Sequence, residues 1–355
     1  MLLLAIAACG HDNHESSAAP DPDDTDDTDD TDDTADDCDP AVPSVDVPVF
    51  YPVPELVSVE ISPESLDPAS DWSPTTNHAI LVPAAGVTRS QLFVLLPGTN
   101  GSPRNQTNLL TIAATAGFRT LGLAYPNDVN QPEVCASAAA AEIEACYEGF
   151  VQEKAYGDDT SDRIEVSEAN SVTGRLRRVL TAANERDPSG GWDAYLDGEG
   201  QPAWENIVLG GFSQGSGITG WIGKDHLLAR SVFLSTGCDM LGTSEADAYP
   251  AAWCSAPRET PVERMYGLLH LGDEFNIKVL AYETYGMAED DALVNAAEAS
   301  PDYCGSPHAL STDLPDKDGG ASFHESLASD AEMPVDANGT PMLAEDYWYL
   351  FTHGL

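Results

Sequence analysis

Gly211-Phe212-Ser213-Gln214-Gly215 is the segment of this chain best suited to covalent chemistry. A serine hydroxyl becomes a useful nucleophile when the backbone presents it on a sharp turn between a strand and a helix, open to a base and a substrate. Such a turn is strained. Side chains two residues to either side of the serine would collide, so both flanks call for glycine, and Gly211 and Gly215 supply it. The surroundings agree with this reading. Residues 206–210 form a largely apolar run, which predicts a strand covered on both faces. Residues 216–222 are small and apolar, which predicts a helix after the turn. Strand, turn and helix together predict a nucleophile elbow with Ser213 at its tip.

The Gly-Phe-Ser-Gln-Gly elbow, with Pro97-Gly98-Thr99-Asn100-Gly101 following a predicted strand, resembles the α/β-hydrolase superfamily over residues 43–355. The elbow is similar to those of carboxylesterases, thioesterases and polyester depolymerases, and the whole chain resembles secreted bacterial members. This resemblance implies an α/β-hydrolase fold, with a mostly parallel central sheet and helices on both faces. It also implies the chain order serine, acid, histidine. The base is then one of His226, His270, His308, His324 and His353. His226 falls in the helix after the elbow, His270 inside a predicted strand, and His308 at the start of another. His324 follows the Gly319-Gly320 loop and is the expected base, with His308 and His353 as alternatives. Asp273, at the end of the run Leu268-Leu269-His270-Leu271-Gly272, is the expected acid, with Asp290 and Asp291 as alternatives. The backbone N–H of Gln214 and of Thr99 or Asn100 would hold the oxyanion. The implied activity is cleavage of a carboxylic ester through an acyl-enzyme, on a small-molecule or polymeric acyl substrate. A peptidase or polyester depolymerase on the same fold is the alternative enzyme. A catalytically inactive, ligand-binding surface lipoprotein is the alternative outside enzymes. The sequence carries neither a zinc-ligand cluster nor a dinucleotide glycine fingerprint, so neither a metal nor an organic cofactor is expected.

These residues need a scaffold. Short β-rich runs predict strands over 56–61, 78–82, 91–96 and 118–125, and apolar runs predict further strands over 231–234 and 265–271. Helices are predicted over 104–116 and 172–184, where Leu176, Val179 and Leu180 share a face, and over a closing segment, 343–351. Strands alternating with helices imply parallel pairing through right-handed crossovers. Residues 127–165 are polar and alanine-rich, contain cysteines and lack strand periodicity, so they read as an insertion or lid.

The N-terminus has a different character. Ile6-Ala7-Ala8-Cys9 after a short apolar run resembles a bacterial lipoprotein signal. That resemblance implies a signal peptide over 1–8, lipidation of Cys9, and a protein held at the bacterial cell envelope, facing the periplasm or exterior. Residues 9–42 then form an acidic linker. Its Asp-Asp-Thr triplets repel one another and offer nothing to bury, which predicts an extended tether. The chain has 60 Asp and Glu against 15 Lys and Arg, and 14 of these acids and none of the bases lie within residues 1–45. So acidic a body repels phosphate backbones, and nucleic acid is excluded as a partner. Besides Cys9, six cysteines remain, an even number in a chain expected outside the cytosol. Proximity favours Cys135–Cys146, Cys238–Cys254 and Cys38–Cys304. A single straight helix from 135 to 146 would hold its ends roughly 16 Å apart, too far for a disulfide. Pairing therefore predicts a helix break near Ala138-Ala139-Ala140-Ala141.

Overall fold

The computed structural model describes residues 55–72, 76–242, 247–273, 279–288, 293–296, 303, 307–320 and 322–355. The chain divides into a unit Met1–Asp39, outside the described residues, and a unit Pro40–Leu355 that contains all of them. Cys9, Cys38, Cys304, Asp290 and Asp291 therefore fall outside the description, and with them the lipid anchor, the tether and the third disulfide.

The strands are β1 (Leu56–Ile61), β2 (His78–Pro83), β3 (Leu92–Leu96), β4 (Arg119–Gly122), β5 (Ile207–Phe212), β6 (Arg230–Leu234), β7 (Met240–Leu241), β8 (Tyr249–Pro250), β9 (Met265–His270), β10 (Val294–Asn295) and β11 (Ala309–Thr312). The helices are α1 (Pro63–Leu66), α2 (Thr107–Thr115), α3 (Gln131–Cys135), α4 (Ile143–Tyr156), α5 (Val172–Arg186), α6 (Gln214–Asp225), α7 (Val279–Tyr285) and α8 (Ala344–Thr352). Among the described residues the main sheet runs β1-β2-β4-β3-β5-β6-β9-β11-β10. Only β2 is antiparallel to its neighbours β1 and β4, and every pair from β4 to β10 is parallel. This is the α/β-hydrolase fold, with a mostly parallel sheet between two helical layers.

The period-two alternation of strand side chains decides which residues meet which helices. Leu92, Val94 and Leu96 of β3 and Ile207 and Leu209 of β5 pack with Val172, Leu176 and Leu180 of α5 and with Ile218 and Ile222 of α6. Phe93, Leu95 and Val208 point the other way, into Leu109 and Leu110 of α2 and Tyr347, Leu350 and Phe351 of α8. With both faces buried, β3 and β5 have no room for a polar side chain, which is why they read as continuous apolar runs.

Several boundaries depart from the sequence expectation. The helix expected from 104 begins as a 3-10 turn, Pro103–Gln106, and becomes α2 only at Thr107. The strand expected over 118–125 is shorter, Arg119–Gly122, after which Leu123 N still donates to Leu95 O at 3.0 Å and Ala124 N donates to His78 Nδ1 at 3.1 Å. His226 caps the end of α6 rather than lying within it, and His308 precedes β11.

The segment 127–165 carries two helices, α3 and α4, and is tied in tightly. α3 ends at Cys135 and α4 starts at Ile143, so the backbone turns between them. That break brings the Cys135 and Cys146 Cα atoms to 5.9 Å and permits their disulfide. Tyr147, Val151 and Ala155 of α4 join the core on the α5 and α6 side. A second disulfide joins Cys238 to Cys254. Among the described residues no helix is long and apolar enough to cross a membrane, and no group of three or more His, Cys, Asp or Glu could hold a metal ion.

Candidate active site

Parallel strands all deliver their carboxyl ends to one edge of the sheet, and loops leaving that edge can converge. Thr99 follows β3, Ser213 follows β5, Ser235 follows β6, Asp273 follows β9 and His324 lies beyond β11. The sheet thus gathers residues spread over more than half the chain.

Ser213 sits between β5 and α6 with φ 52° and ψ −118°, a conformation that L-residues other than glycine seldom adopt. Backbone hydrogen bonds hold it there. Its N–H donates to Leu234 O at 3.1 Å, and its carbonyl accepts from Ser216 N at 2.9 Å. The flanking glycines are needed for space. A Cβ on Gly211 would overlap the backbone of Gly215, and one on Gly215 would overlap the Leu96 carbonyl at the end of β3. The elbow is therefore wedged between its own helix and the neighbouring strand.

His324 and Asp273 form a buried pair. His324 Nδ1 donates to Asp273 Oδ2 at 2.8 Å, with the two residues 7% and 1% exposed. A carboxylate at Nδ1 fixes the tautomer and leaves Nε2 for other work. The Phe212 ring packs on the imidazole, with centroids 4.8 Å apart. Ser235 was not legible as a site residue. Its hydroxyl donates to Asp273 Oδ2 at 3.2 Å and lies 3.1 Å from His324 Nδ1. Its one sequence-level signal is its place just after an apolar strand, and its φ of 85° marks a second strained turn at the same sheet edge.

The other histidines are engaged elsewhere. His270 Nε2 bonds Leu314 O at 2.7 Å, and its ring stacks on Phe323. His308 Nδ1 bonds Met265 O at 2.8 Å and stacks on Tyr266. His226 stacks on Trp204, and the His353 ring packs on Tyr349.

A cavity of about 640 Å³ opens over the elbow, bringing Ser213, Gln214, Thr99 and His324 to one surface with Phe212, Ile218, Tyr147, Phe150 and Val151. Of the two residues considered for the second oxyanion donor, Thr99 lines the cavity, whereas the Asn100 N–H donates to Asn127 O at 2.8 Å, because the 98–101 turn folds back onto that loop. Asn127 Nδ2 secures the same turn through Gly98 O and Gly101 O.

Behind this wall lies Lys154, 1% exposed. Its ammonium donates to Pro126 O at 2.9 Å, Val129 O at 3.4 Å and Gln214 Oε1 at 3.1 Å, over the Phe150 ring. Gln214 Nε2 in turn donates to Thr99 Oγ1 at 3.0 Å and Val129 O at 2.8 Å. α4, the 126–129 loop, the 97–101 turn and the elbow are thereby joined in one polar network. Burial pulls the Lys154 amine down to about 7.

By sequence, no protein-family model and no curated protein matches the chain. Solved structures resemble it in backbone. A protein described as a dienelactone hydrolase from Klebsiella pneumoniae subsp. pneumoniae is 12% identical over 83% of this chain and 95% of that chain, with a TM-score of 0.38. A Thermus thermophilus protein is 13% identical over 73% and 88%, with a TM-score of 0.35. The feruloyl esterase module of Clostridium thermocellum, complexed with sinapinate, is 11% identical over 85% and 89%, with a TM-score of 0.37.

Proposed function

We propose that this chain is a serine hydrolase that cleaves carboxylic esters through an acyl-enzyme on Ser213. The observation that carries the reading is the strained Ser213 turn sharing one cavity with a histidine whose other nitrogen is bonded to a buried carboxylate. Serine, histidine and acid in that relation are what nucleophilic acyl transfer requires.

In this mechanism the Ser213 Oγ attacks the acyl carbon while His324 Nε2 takes its proton. Asp273 holds the imidazole and stabilises the imidazolium. Negative charge developing on the carbonyl oxygen is met by the backbone N–H of Gln214 and Thr99, aimed in advance by the elbow and the 97–101 turn. The imidazolium then protonates the departing alcohol, and water repeats the sequence to release the acid and restore Ser213. The reading includes lipidation at Cys9 and a place in the bacterial cell envelope, both from the N-terminal motif alone.

A fluorophosphonate probe tests it directly, because it labels only an activated serine. Wild-type protein should be labelled at Ser213. Ser213→Ala should lose both labelling and ester turnover, the latter by several orders of magnitude. Near wild-type turnover by that variant would refute the assignment.

A further inference from the structure

The cavity wall holds one carboxylate outside the proposed catalytic row. Asp239 follows β6 and is half-buried where the cavity runs along α6. Its Oδ2 accepts from Gln131 Nε2 at 2.9 Å and from Trp253 Nε1 at 3.0 Å. Among the described residues no hydrogen bond engages Oδ1. That oxygen faces the elbow helix, and a Cβ placed on Gly217 would come within 3.6 Å of it. Gly217 is four residues beyond Ser213 on α6, roughly 6 Å along the helix axis.

The residue is held firmly in this position. Its carbonyl accepts from Ala251 N at 2.9 Å. Cys238, one residue earlier, is bonded to Cys254, which shares a 3-10 turn with Trp253. The disulfide thus fixes both the carboxylate and one of its two donors. Both donors are neutral, and burial pushes the Asp239 carboxyl up to about 6. Among the described lining residues there is no Lys or Arg, while Glu133 and Glu325 add two further acids.

We propose that Asp239 is a specificity-determining residue: Oδ1 receives an ammonium group at the end of an otherwise apolar acyl or alcohol arm of the ester. The proposal rests on the serine-hydrolase reading. A chain of several methylenes spans the offset along α6. Phe150, Val151 and Ile218 would bury those methylenes, and the carboxylate would pair with the cation at their end. Gly217 is the residue that permits this, since a larger side chain there would narrow the approach to Oδ1. A substrate bearing a carboxylate at the same place would meet the like charge of Asp239 and be rejected.

The test compares isosteric esters by pH-stat at pH 8: ethyl ε-aminocaproate against ethyl heptanoate, and 5-aminopentyl acetate against hexyl acetate. Wild type should favour the ammonium member of at least one pair by about 10- to 100-fold in kcat/KM, the scale of a charge-assisted hydrogen bond. Asp239→Asn, of the same shape, should erase that preference and improve turnover of the neutral member relative to the charged one. A measurement on unmutated protein stands beside it: pentylammonium should protect Ser213 from fluorophosphonate at lower concentration than pentanol does. Turnover of all four esters without preference, or equal protection by the two pentyl compounds, would overturn the Asp239 assignment and leave the hydrolase reading standing. Absence of both turnover and labelling would overturn the hydrolase reading, and this proposal with it.

Discussion

Lys154→Met should stabilise the protein at mildly acidic pH and destabilise it at alkaline pH. The reason is proton linkage. Burial lowers this amine from its ordinary 10.5 to about 7, whereas in the unfolded chain it keeps the ordinary value. Between those values unfolding takes up a proton, so wild-type stability climbs as pH rises through the window. Below about pH 7 the lysine is charged in both states and the full burden of burying the charge is present. At about 1.4 kcal/mol per pH unit, the interval corresponds to roughly 5 kcal/mol. Methionine removes that burden but leaves the Pro126 carbonyl without its donor, a loss of about 1–3 kcal/mol. The Val129 carbonyl keeps Gln214 Nε2. The variant should therefore exceed wild type by about 2–4 kcal/mol at pH 6 and fall below it by up to about 2 kcal/mol at pH 10, where the last half-unit of the burden still offsets part of the lost hydrogen bond. Turnover should move differently. Without its ammonium partner Gln214 is held less firmly beside Thr99, and a small misplacement of oxyanion donors should lower kcat by about 10- to 100-fold at every pH. Urea unfolding from pH 6 to 10, with ester turnover measured alongside, reads both effects. A stability difference of constant sign across that range would refute the linkage argument. Unchanged kcat would refute the positioning role.

His324→Ala should lower turnover nearly as far as Ser213→Ala, and the double variant should be little worse than either, because members of one catalytic unit are not additive; additive losses measured by ester hydrolysis would separate the two residues. His308→Ala and His353→Ala should instead shift the melting temperature and leave turnover close to wild type. Gly215→Ala must displace the end of β3 or the elbow, since its Cβ meets the Leu96 carbonyl; a stability loss of about 1–3 kcal/mol by urea unfolding is expected, with reduced fluorophosphonate labelling. Cys9→Ser, made with the native N-terminus, should abolish lipid labelling and release the protein from membranes; unchanged membrane partition would remove the anchor without touching the hydrolase reading.

The elbow was legible because its constraint is local. Gly211 is dictated by an overlap with Gly215 within the same five residues, Gly215 by the strand β3 that every such elbow abuts, and a strand covered on both faces must read as an apolar run. Asp273 and His324 were legible only through chain order. Their 2.8 Å contact comes from parallel strands that deliver both loops to one edge of the sheet. Residue types along the chain also exposed the Cys135–Cys146 constraint, since helix rise alone demands the break that the backbone makes.

Other features were decided by packing between distant segments, for which a sequence pattern holds no signal. The engagement of the Asn100 N–H, which favours Thr99 in the proposed oxyanion site, depends on the 98–101 turn folding onto Asn127. Ser235 looks like any small residue after a strand until β6 brings it against Asp273. Lys154 lies in an alanine-rich segment and Asp239 beside a cysteine, and neither stands in a motif that marks it for a site. Only the docking of α4 on α6 buries the lysine against Gln214, and only the Cys238–Cys254 bridge sets the aspartate beside Gln131 and Trp253. Periodicity and steric exclusion act over a few residues and are written in the order of the chain. Desolvation of a charge depends on what else reaches the same place in space, and that is settled when the layers close.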